Sequence, residues 1–167
     1  MGVTHLLVMR HAKSSWDSPE LDDHDRPLNA RGRRDCPVMA NALHARGFAP
    51  DTIWTSSAER TRETAERLMR ALSGAQTVIR IPSFYHASAD RVLDILAQSE
   101  EPDGKLMLLG HNPGWSHLVE ALGGGVHRMP TAAVAVFKRK IEDEPIWSPM
   151  AWRLVDMLIP KELHASS

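Results

Sequence analysis

Two short apolar segments of this chain each end within two residues of a histidine. Residues 5–9 are followed after one arginine by His11, and residues 105–109 are followed after one glycine by His111. Both segments have the composition of buried strands. In α/β sheets the carboxyl ends of parallel strands meet at one edge, where ligands bind. We therefore expect the two histidines to lie close together at that edge.

Strand-like and helix-like segments alternate along most of the chain, which is typical of an α/β sandwich. The last third differs, because residues 132–138 and 152–159 look like strands without a helix between them. They can pair with each other or lie at the sheet edge. We predict an α/β fold: one three-layer domain over residues 1–167, with a mostly parallel sheet and antiparallel strands toward the C-terminus. The other predicted strands cover residues 5–9, 51–56, 78–81 and 105–109, and the main predicted helices start near residue 30 and cover 58–72 and 89–98.

Composition narrows the class of protein. The net charge is −1 at pH 7, so no excess of positive charge indicates a nucleic-acid or membrane partner. No apolar run approaches the ~20 residues that span a bilayer, and the N-terminus lacks the pattern of a signal peptide. The single cysteine, Cys36, can form no disulfide within the chain. We expect a cytoplasmic enzyme.

Three segments meet at the predicted sheet edge: residues 10–12, 57–61 and 110–113. Together they bring two histidines and two arginines around one point, next to the start of a predicted helix, and such a set is suited to a dianion. A neutral imidazole can attack phosphorus, and a second, protonated imidazole can donate to the phosphoryl oxygens. Arginines would neutralise the charge on those oxygens. This chemistry requires no metal and no cofactor.

The same segments resemble a known family. Residues 10–12, Arg-His-Ala, resemble the RHG/RHA motif of the histidine phosphatase superfamily, also called the phosphoglycerate-mutase-like family. Residues 26–32 are similar to its RPLxxxG signature, residues 55–61 to the segment with its second arginine, and residues 110–114 to the segment with its second histidine. The resemblance covers nearly the whole chain, in the family's order and spacing.

This resemblance implies a role for each motif residue. His11 would be the nucleophile, Arg10 and Arg60 would hold the phosphoryl oxygens, and His111 would stabilise the transferring group. Arg62 is a rival for the second arginine, but it lies two residues further on a helix and points about 200° away from Arg60. The alignment of the motif favours Arg60. The resemblance also implies weaker substrate contacts from Arg26, Ser15 and Asn112.

The polar loop after the first motif contains several acidic residues. Asp22, Asp23, His24 and Asp25 superficially suggest metal ligands. Adjacent carboxylates in a turn-rich loop are more often solvated, and no second group of ligands at a suitable spacing accompanies them. We therefore expect solvated side chains and no metal site in this loop.

Residues 10–16 resemble the opening of the SixA branch, which removes phosphate from phosphohistidine in phosphotransfer domains. Many other members place a carboxylate after the third strand to protonate an alkoxide leaving group. Here His86 follows Tyr85 where related sequences commonly have glutamate, and Asp90 is the nearest carboxylate. General acid help is worth about 10²–10⁴-fold for an alkoxide. A phosphorylated imidazole needs little help from a general acid, so the missing glutamate favours a phosphohistidine substrate.

The sequence thus predicts a metal-independent phosphatase that forms a phosphohistidine intermediate at His11. Its expected partner is a phosphorylated histidine phosphotransfer domain. A second hypothesis keeps the chemistry but acts on a small phosphorylated metabolite, a phosphomonoester or nucleotide, with His86 or Asp90 as the acid. A third is a phosphate-binding module without catalytic turnover, which an intact set of two histidines and two arginines argues against.

Overall fold

A mixed β-sheet of six strands forms the middle layer of the computed structural model. The structure describes residues 2–165, so the ends of the predicted 1–167 domain lie outside the described residues. The strands are β1 (Val3–Arg10), β2 (Thr52–Thr55), β3 (Thr77–Arg80), β4 (Gly104–Gly110), β5 (Val134–Arg139) and β6 (Trp152–Leu158). Their order is β3-β2-β4-β1-β5-β6. β3, β2, β4 and β1 are parallel, whereas β5 pairs antiparallel with both β1 and β6. The predicted mostly parallel sheet with antiparallel strands toward the C-terminus is confirmed.

Helices cover both faces of this sheet. They are α1 (Ala30–Ala45), α2 (Glu59–Ala71), α3 (Ala89–Gln98), α4 (Gly114–Val119) and α5 (Pro160–Ala165). The short α5 was not predicted from the sequence. α1 begins after Asn29, whose side chain accepts a hydrogen bond from the backbone N–H of Gly32 at 2.9 Å. Within residues 2–165 no helix combines the length and apolar character needed to cross a membrane.

Alternate residues of β1 face two separate cores. Leu6 and Val8 belong to the cluster that includes residues of α3 and α4, whereas Leu7 and Met9 belong to the cluster with α1 and α2. All four side chains are fully buried. Because successive side chains of a strand point to opposite faces, this pattern requires cover on both sides and produces the predicted three layers.

The sheet brings the ends of its central strands together. Arg10 and Gly110 are register partners in the β1–β4 pair, and the backbone N–H of His11 donates to the carbonyl of Gly110 at 3.0 Å. On the other side of β4, the N–H of Ser56 donates to the carbonyl of Leu109 at 3.1 Å. The segments that follow β1, β2 and β4 therefore start from one short stretch of the sheet edge.

Candidate active site

His11 is buried at the end of β1 in a defined orientation. Its Nδ1 lies 2.7 Å from the carbonyl oxygen of Ala12, which can only accept, so Nδ1 carries the proton and Nε2 keeps its lone pair. The Nε of Arg60 lies 3.4 Å from Nε2. Burial and the nearby positive charges of Arg60 and Arg10 hold the pKa of His11 well below 6.5, although the bond to Ala12 opposes them. The ring is thus neutral, as a nucleophile must be.

His111 lies beside His11, with 5.3 Å between the ring centroids. Its Nε2 is 2.8 Å from the Oγ of Ser56, and its Nδ1 is buried without a partner among the described residues. Burial, followed by the positive charges of Arg60 and His86, lowers the pKa of His111 to about 3. Both imidazoles are therefore neutral in this structure, and the protonated second ring expected from the sequence would require an anion beside His111. No sequence motif indicated the contact with Ser56.

Of the three arginines considered for the phosphoryl site, Arg60 contacts His11 and Arg10 lies near enough for its charge to lower the pKa of His11. Arg60, in the first turn of α2, is 7% exposed in its side chain, whereas Arg62 is 46% exposed and pairs with two glutamates of its own helix. Arg10 donates from Nη1 to the carbonyl of Met129 at 3.0 Å, and its buried Nε has no partner among residues 2–165. Burial and the charges of Arg128 and Arg60 lower the pKa of Arg10.

A carboxylate that the sequence analysis did not single out reaches this cluster. Asp23 Oδ2 accepts from Arg60 Nη2 at 3.1 Å and from the Tyr85 hydroxyl at 2.5 Å, while Asp23 Oδ1 accepts from Arg26 Nε at 3.2 Å. Burial opposes ionisation, but the bonds from Tyr85, Arg60 and Arg26 outweigh it and hold the pKa of Asp23 well below its ordinary range. Asp23 is thus exposed, as expected for the acidic loop, but it is also bound by three side chains, which the sequence did not predict.

The turn that carries this carboxylate lies against the site. Residues 23–25 form a single 3₁₀ turn, and within it His24 Nε2 lies 2.9 Å from the Oγ of Ser57. The His24 ring also meets the Tyr85 ring edge-on, with centroids 4.8 Å apart. These contacts hold residues 23–25 against Ser57, Tyr85 and Arg60. Nothing in the local sequence distinguishes Asp23 from its acidic neighbours Asp22 and Asp25.

Arg26 and Ser15, two weaker candidates, are bound to the protein itself. The buried Arg26 donates from Nη1 to the Oγ of Ser14 at 3.0 Å, and its guanidinium lies 3.5 Å from the centre of the Trp16 ring. Ser15 accepts from the backbone N–H of Asp17 at 3.1 Å, which stabilises the turn. The structure therefore places Arg26 next to the arginine cluster through Asp23, and Ser15 at the start of the loop.

Asn112, the third weaker candidate, braces the segment after β4. Its Nδ2 donates to the carbonyl of Met129 at 2.8 Å, the same oxygen that Arg10 contacts, and its Oδ1 accepts from both the N–H and the hydroxyl of Ser116. This side chain connects Arg10 and His111 to α4.

The two candidate acids occupy different places. His86 is exposed, stacks on the Tyr85 ring at a centroid distance of 3.9 Å, and lines a cleft of about 230 Å³ together with His111. Asp90 lies in the first turn of α3 and lines another depression, with His117. Among the described residues, no group of three or more His, Cys, Asp or Glu side chains could hold a metal ion.

Two motif glycines allow close approaches next to the site. A Cβ at Gly32 would lie 2.2 Å from the carbonyl oxygen of Lys13, and one at Gly110 would lie 2.3 Å from the buried ring of Trp115. Neither neighbour has room to move, because one is backbone and the other is a fully buried indole. Gly32 thus lets α1 lie against the loop that follows His11, and Gly110 lets His111 follow β4 directly.

Comparison with known proteins gives the family. Residues 6–84 match the Histidine phosphatase superfamily (branch 1). An uncharacterised chloroplastic protein of Arabidopsis thaliana is 33% identical over 168 aligned positions, which cover 93% of this chain and 77% of the relative. A structure designated phosphohistidine phosphatase SixA from Agrobacterium tumefaciens is 31% identical, with 96% and 100% of the two chains covered and a TM-score of 0.79. An Escherichia coli structure designated alpha-ribazole-5'-P phosphatase shares the fold at 17% identity, with 94% and 98% covered and a TM-score of 0.64.

The chain therefore belongs to the histidine phosphatase superfamily, and it is a phosphatase, a hydrolase that acts on phosphoryl groups. Within the superfamily it is similar to the SixA branch, so the resemblance seen in the sequence is confirmed.

Proposed function

We propose that this phosphatase transfers a phosphoryl group from its substrate to Nε2 of His11 and then to water. The observation that carries the proposal is the orientation of His11. Its Nδ1–H is held by the Ala12 carbonyl, and its Nε2 lone pair lies next to the Nε of Arg60. A buried, neutral imidazole fixed in this tautomer is ready to attack phosphorus without first losing a proton.

The surrounding groups support both transfers. In the first step the Nε2–phosphorus bond forms while the bond to the leaving group breaks, and the leaving atom keeps the electron pair. In the second step water attacks phosphorus, its proton passes to solvent, and Nε2 regains its lone pair. Arg10 and Arg60 would neutralise the phosphoryl oxygens, since this reaction depends on positioning and electrostatics. The dianion would also raise the low pKa of His111, which could then donate to it.

The substrate we propose is phosphohistidine on a phosphotransfer protein. Asp23 is the carboxylate that accepts a hydrogen bond from Tyr85 beside the site. Its lowered pKa keeps it ionised at neutral pH, so it cannot donate a proton to a leaving group there. A phosphorylated imidazole leaves with little acid help, whereas an alkoxide requires it. The site is therefore better suited to the nitrogen leaving group.

The surface beside the site also favours a protein-borne substrate. A cleft of about 500 Å³ begins at Arg10 and is lined by Arg128, His117 and Glu120 among other residues. It shares His117 with the smaller cleft at His111. Two arginines against one glutamate give this surface a positive bias that complements an acidic partner surface.

A small phosphorylated metabolite is the alternative substrate, and His86 is the observation in its favour. This side chain lines the cleft at His111 and could protonate an alkoxide there. The fold is also shared by the Escherichia coli protein whose name specifies a small phosphate ester. A cytoplasmic location remains part of the proposal, to be tested by cell fractionation.

The proposal is tested by comparing substrates under identical conditions, with a chelator present. We expect hydrolysis of a phosphorylated histidine phosphotransfer domain at a higher kcat/KM than that of sugar phosphates or nucleotides. A preference for the small phosphates would contradict the substrate class and leave the chemistry standing. A His11→Ala variant should lose at least about 10³-fold in kcat/KM, and full activity in that variant would overturn the mechanism.

A further inference from the structure

Two of the three nitrogens of the Arg60 guanidinium donate to one residue. Its Nη1 donates to the carbonyl oxygen of Asp23 at 2.8 Å and its Nη2 donates to Asp23 Oδ2 at 3.1 Å. Only Nε points toward Nε2 of His11, at 3.4 Å. The arginine that should bind the phosphoryl group is therefore already paired with a carboxylate of the same chain.

Asp23 and a phosphoryl group on His11 would bind neighbouring edges of the Arg60 guanidinium. A guanidinium binds an oxyanion through two parallel N–H groups, and the edge that faces His11 consists of Nε and Nη2. A phosphoryl group on Nε2 of His11 would meet Nε directly. Nη2 carries two N–H groups, so it can donate to Asp23 and to the phosphoryl group at once, and the two anions then repel each other across one guanidinium.

Asp23 is held by more than this one ion pair. Its Oδ1 accepts from the Nε of Arg26, and its Oδ2 also accepts from the Tyr85 hydroxyl. These contacts keep the carboxylate beside Arg60, yet its side chain remains 42% exposed, at the surface of the turn. The carboxylate can consequently move toward solvent without opening the core.

We propose that Asp23 is an internal competitor for the phosphoryl group. Its carboxylate neutralises part of the charge of Arg60 and repels an oxyanion bound on the neighbouring edge of the same guanidinium. Asp23 thus acts through Arg60 as a positioning residue that limits how tightly the site holds its product. This inference rests on the proposed phosphoryl site around His11, and it adds a residue that none of the family motifs contains.

The charge balance of the site agrees with this role. Arg10, Arg26 and Arg60 place three positive charges near the site, and two of them contact Asp23. Three arginines without a counter-charge would hold a phosphate dianion strongly and release it slowly. With the negative charge of Asp23 included, the net positive charge of these side chains equals the charge of the dianion in magnitude.

The test measures inorganic phosphate binding to the purified full chain by isothermal titration calorimetry, so it does not depend on turnover. In Asp23→Asn the amide cannot compete as an anion, and we expect phosphate to bind at least about tenfold more tightly than in the wild type. The KM for an aryl phosphate should fall in the same direction. A structural defect would weaken binding, so tighter binding is an effect that damage to the fold does not produce.

The matched control is Asp25→Asn, which removes one charge from the same 3₁₀ turn. Asp25 lies 3.6 Å from His24 and forms no ion pair with an arginine of residues 2–165, so its variant should bind phosphate like the wild type. Unchanged or weaker binding in Asp23→Asn, or equal tightening in both variants, would overturn the inference while leaving the proposed function intact. If no variant and no wild-type protein bound phosphate, the anion site itself would be contradicted, and this inference with it.

Discussion

The hydroxyl of Ser56 is the one side-chain contact that the structure gives to the His111 ring nitrogens within residues 2–165. We predict that Ser56→Ala lowers kcat/KM for an aryl phosphate by about tenfold, because His111 loses the bond that fixes its ring. The neighbouring Ser57→Ala is the control, since Ser57 contacts His24 instead and should change kcat/KM little. Equal losses in the two variants would contradict a specific role for Ser56.

The protonation of the two histidines gives a second prediction at the residue scale. Burial and the nearby cations lower the pKa of His11 well below 6.5 and that of His111 to about 3. Both rings should remain neutral as the pH falls through 6.5, so protonation of the nucleophile should not reduce kcat/KM there. Two-dimensional ¹H–¹⁵N NMR can follow the tautomers directly.

The charge of Arg60 offers a check on that assignment. Removing it in Arg60→Gln should raise the pKa of both rings, because this cation disfavours the imidazolium in each case. Rings that protonate near pH 6.5 in the wild type would contradict the low pKa values. Values that do not rise in Arg60→Gln would show that the charge of Arg60 does not cause them.

At this scale the sequence predicts the motif residues but not the groups that surround them. His11, Arg10, Arg60 and His111 could be named because each belongs to a motif at a strand end or helix start. Asp23 could not, since it shares its loop with chemically identical residues. Which carboxylate turns inward depends on a 3₁₀ turn and on tertiary contacts that no local pattern encodes.

At the scale of elements, α1 and the loop after His11 depend on one glycine. A side chain at Gly32 would overlap the Lys13 carbonyl, whose position is fixed because it also accepts from the N–H of Asn29 at 3.0 Å. We predict that Gly32→Ala lowers the free energy of unfolding by about 1–3 kcal/mol and reduces kcat, as measured by urea denaturation and steady-state kinetics. Arg31→Ala, at the exposed preceding position, should change stability by less than about 0.5 kcal/mol. A wild-type stability and kcat in Gly32→Ala would disprove the close approach.

The elements themselves follow from local patterns to different degrees. β1 and β4 were predictable because their apolar runs are buried on both faces. The sequence allowed the last two strands to pair with each other or to lie at the sheet edge. In the structure β5 and β6 pair with each other, and β6 also forms the edge of the sheet. Pairing joins residues far apart in sequence, so propensity does not determine it. The six-residue α5 is too short for a periodic signal.

For the whole molecule, the prediction of a single domain can be tested by unfolding. The two cores lie on opposite faces of one sheet and share β1, so neither can lose its packing without exposing the other. We predict one cooperative transition in urea, with coincident midpoints from tryptophan fluorescence and far-ultraviolet circular dichroism. Two separate transitions would show that residues 1–167 do not fold as one unit.

The whole fold serves to bring three strand ends, and the segments after them, to one point beside His11. The central claim is that this imidazole accepts the phosphoryl group. Rapid quenching at alkaline pH during turnover, followed by tandem mass spectrometry, tests it directly. We predict one acid-labile phosphoryl group, located on His11 and missing from His11→Ala. Phosphate on another residue, or continued turnover with no phosphorylated protein formed, would contradict it.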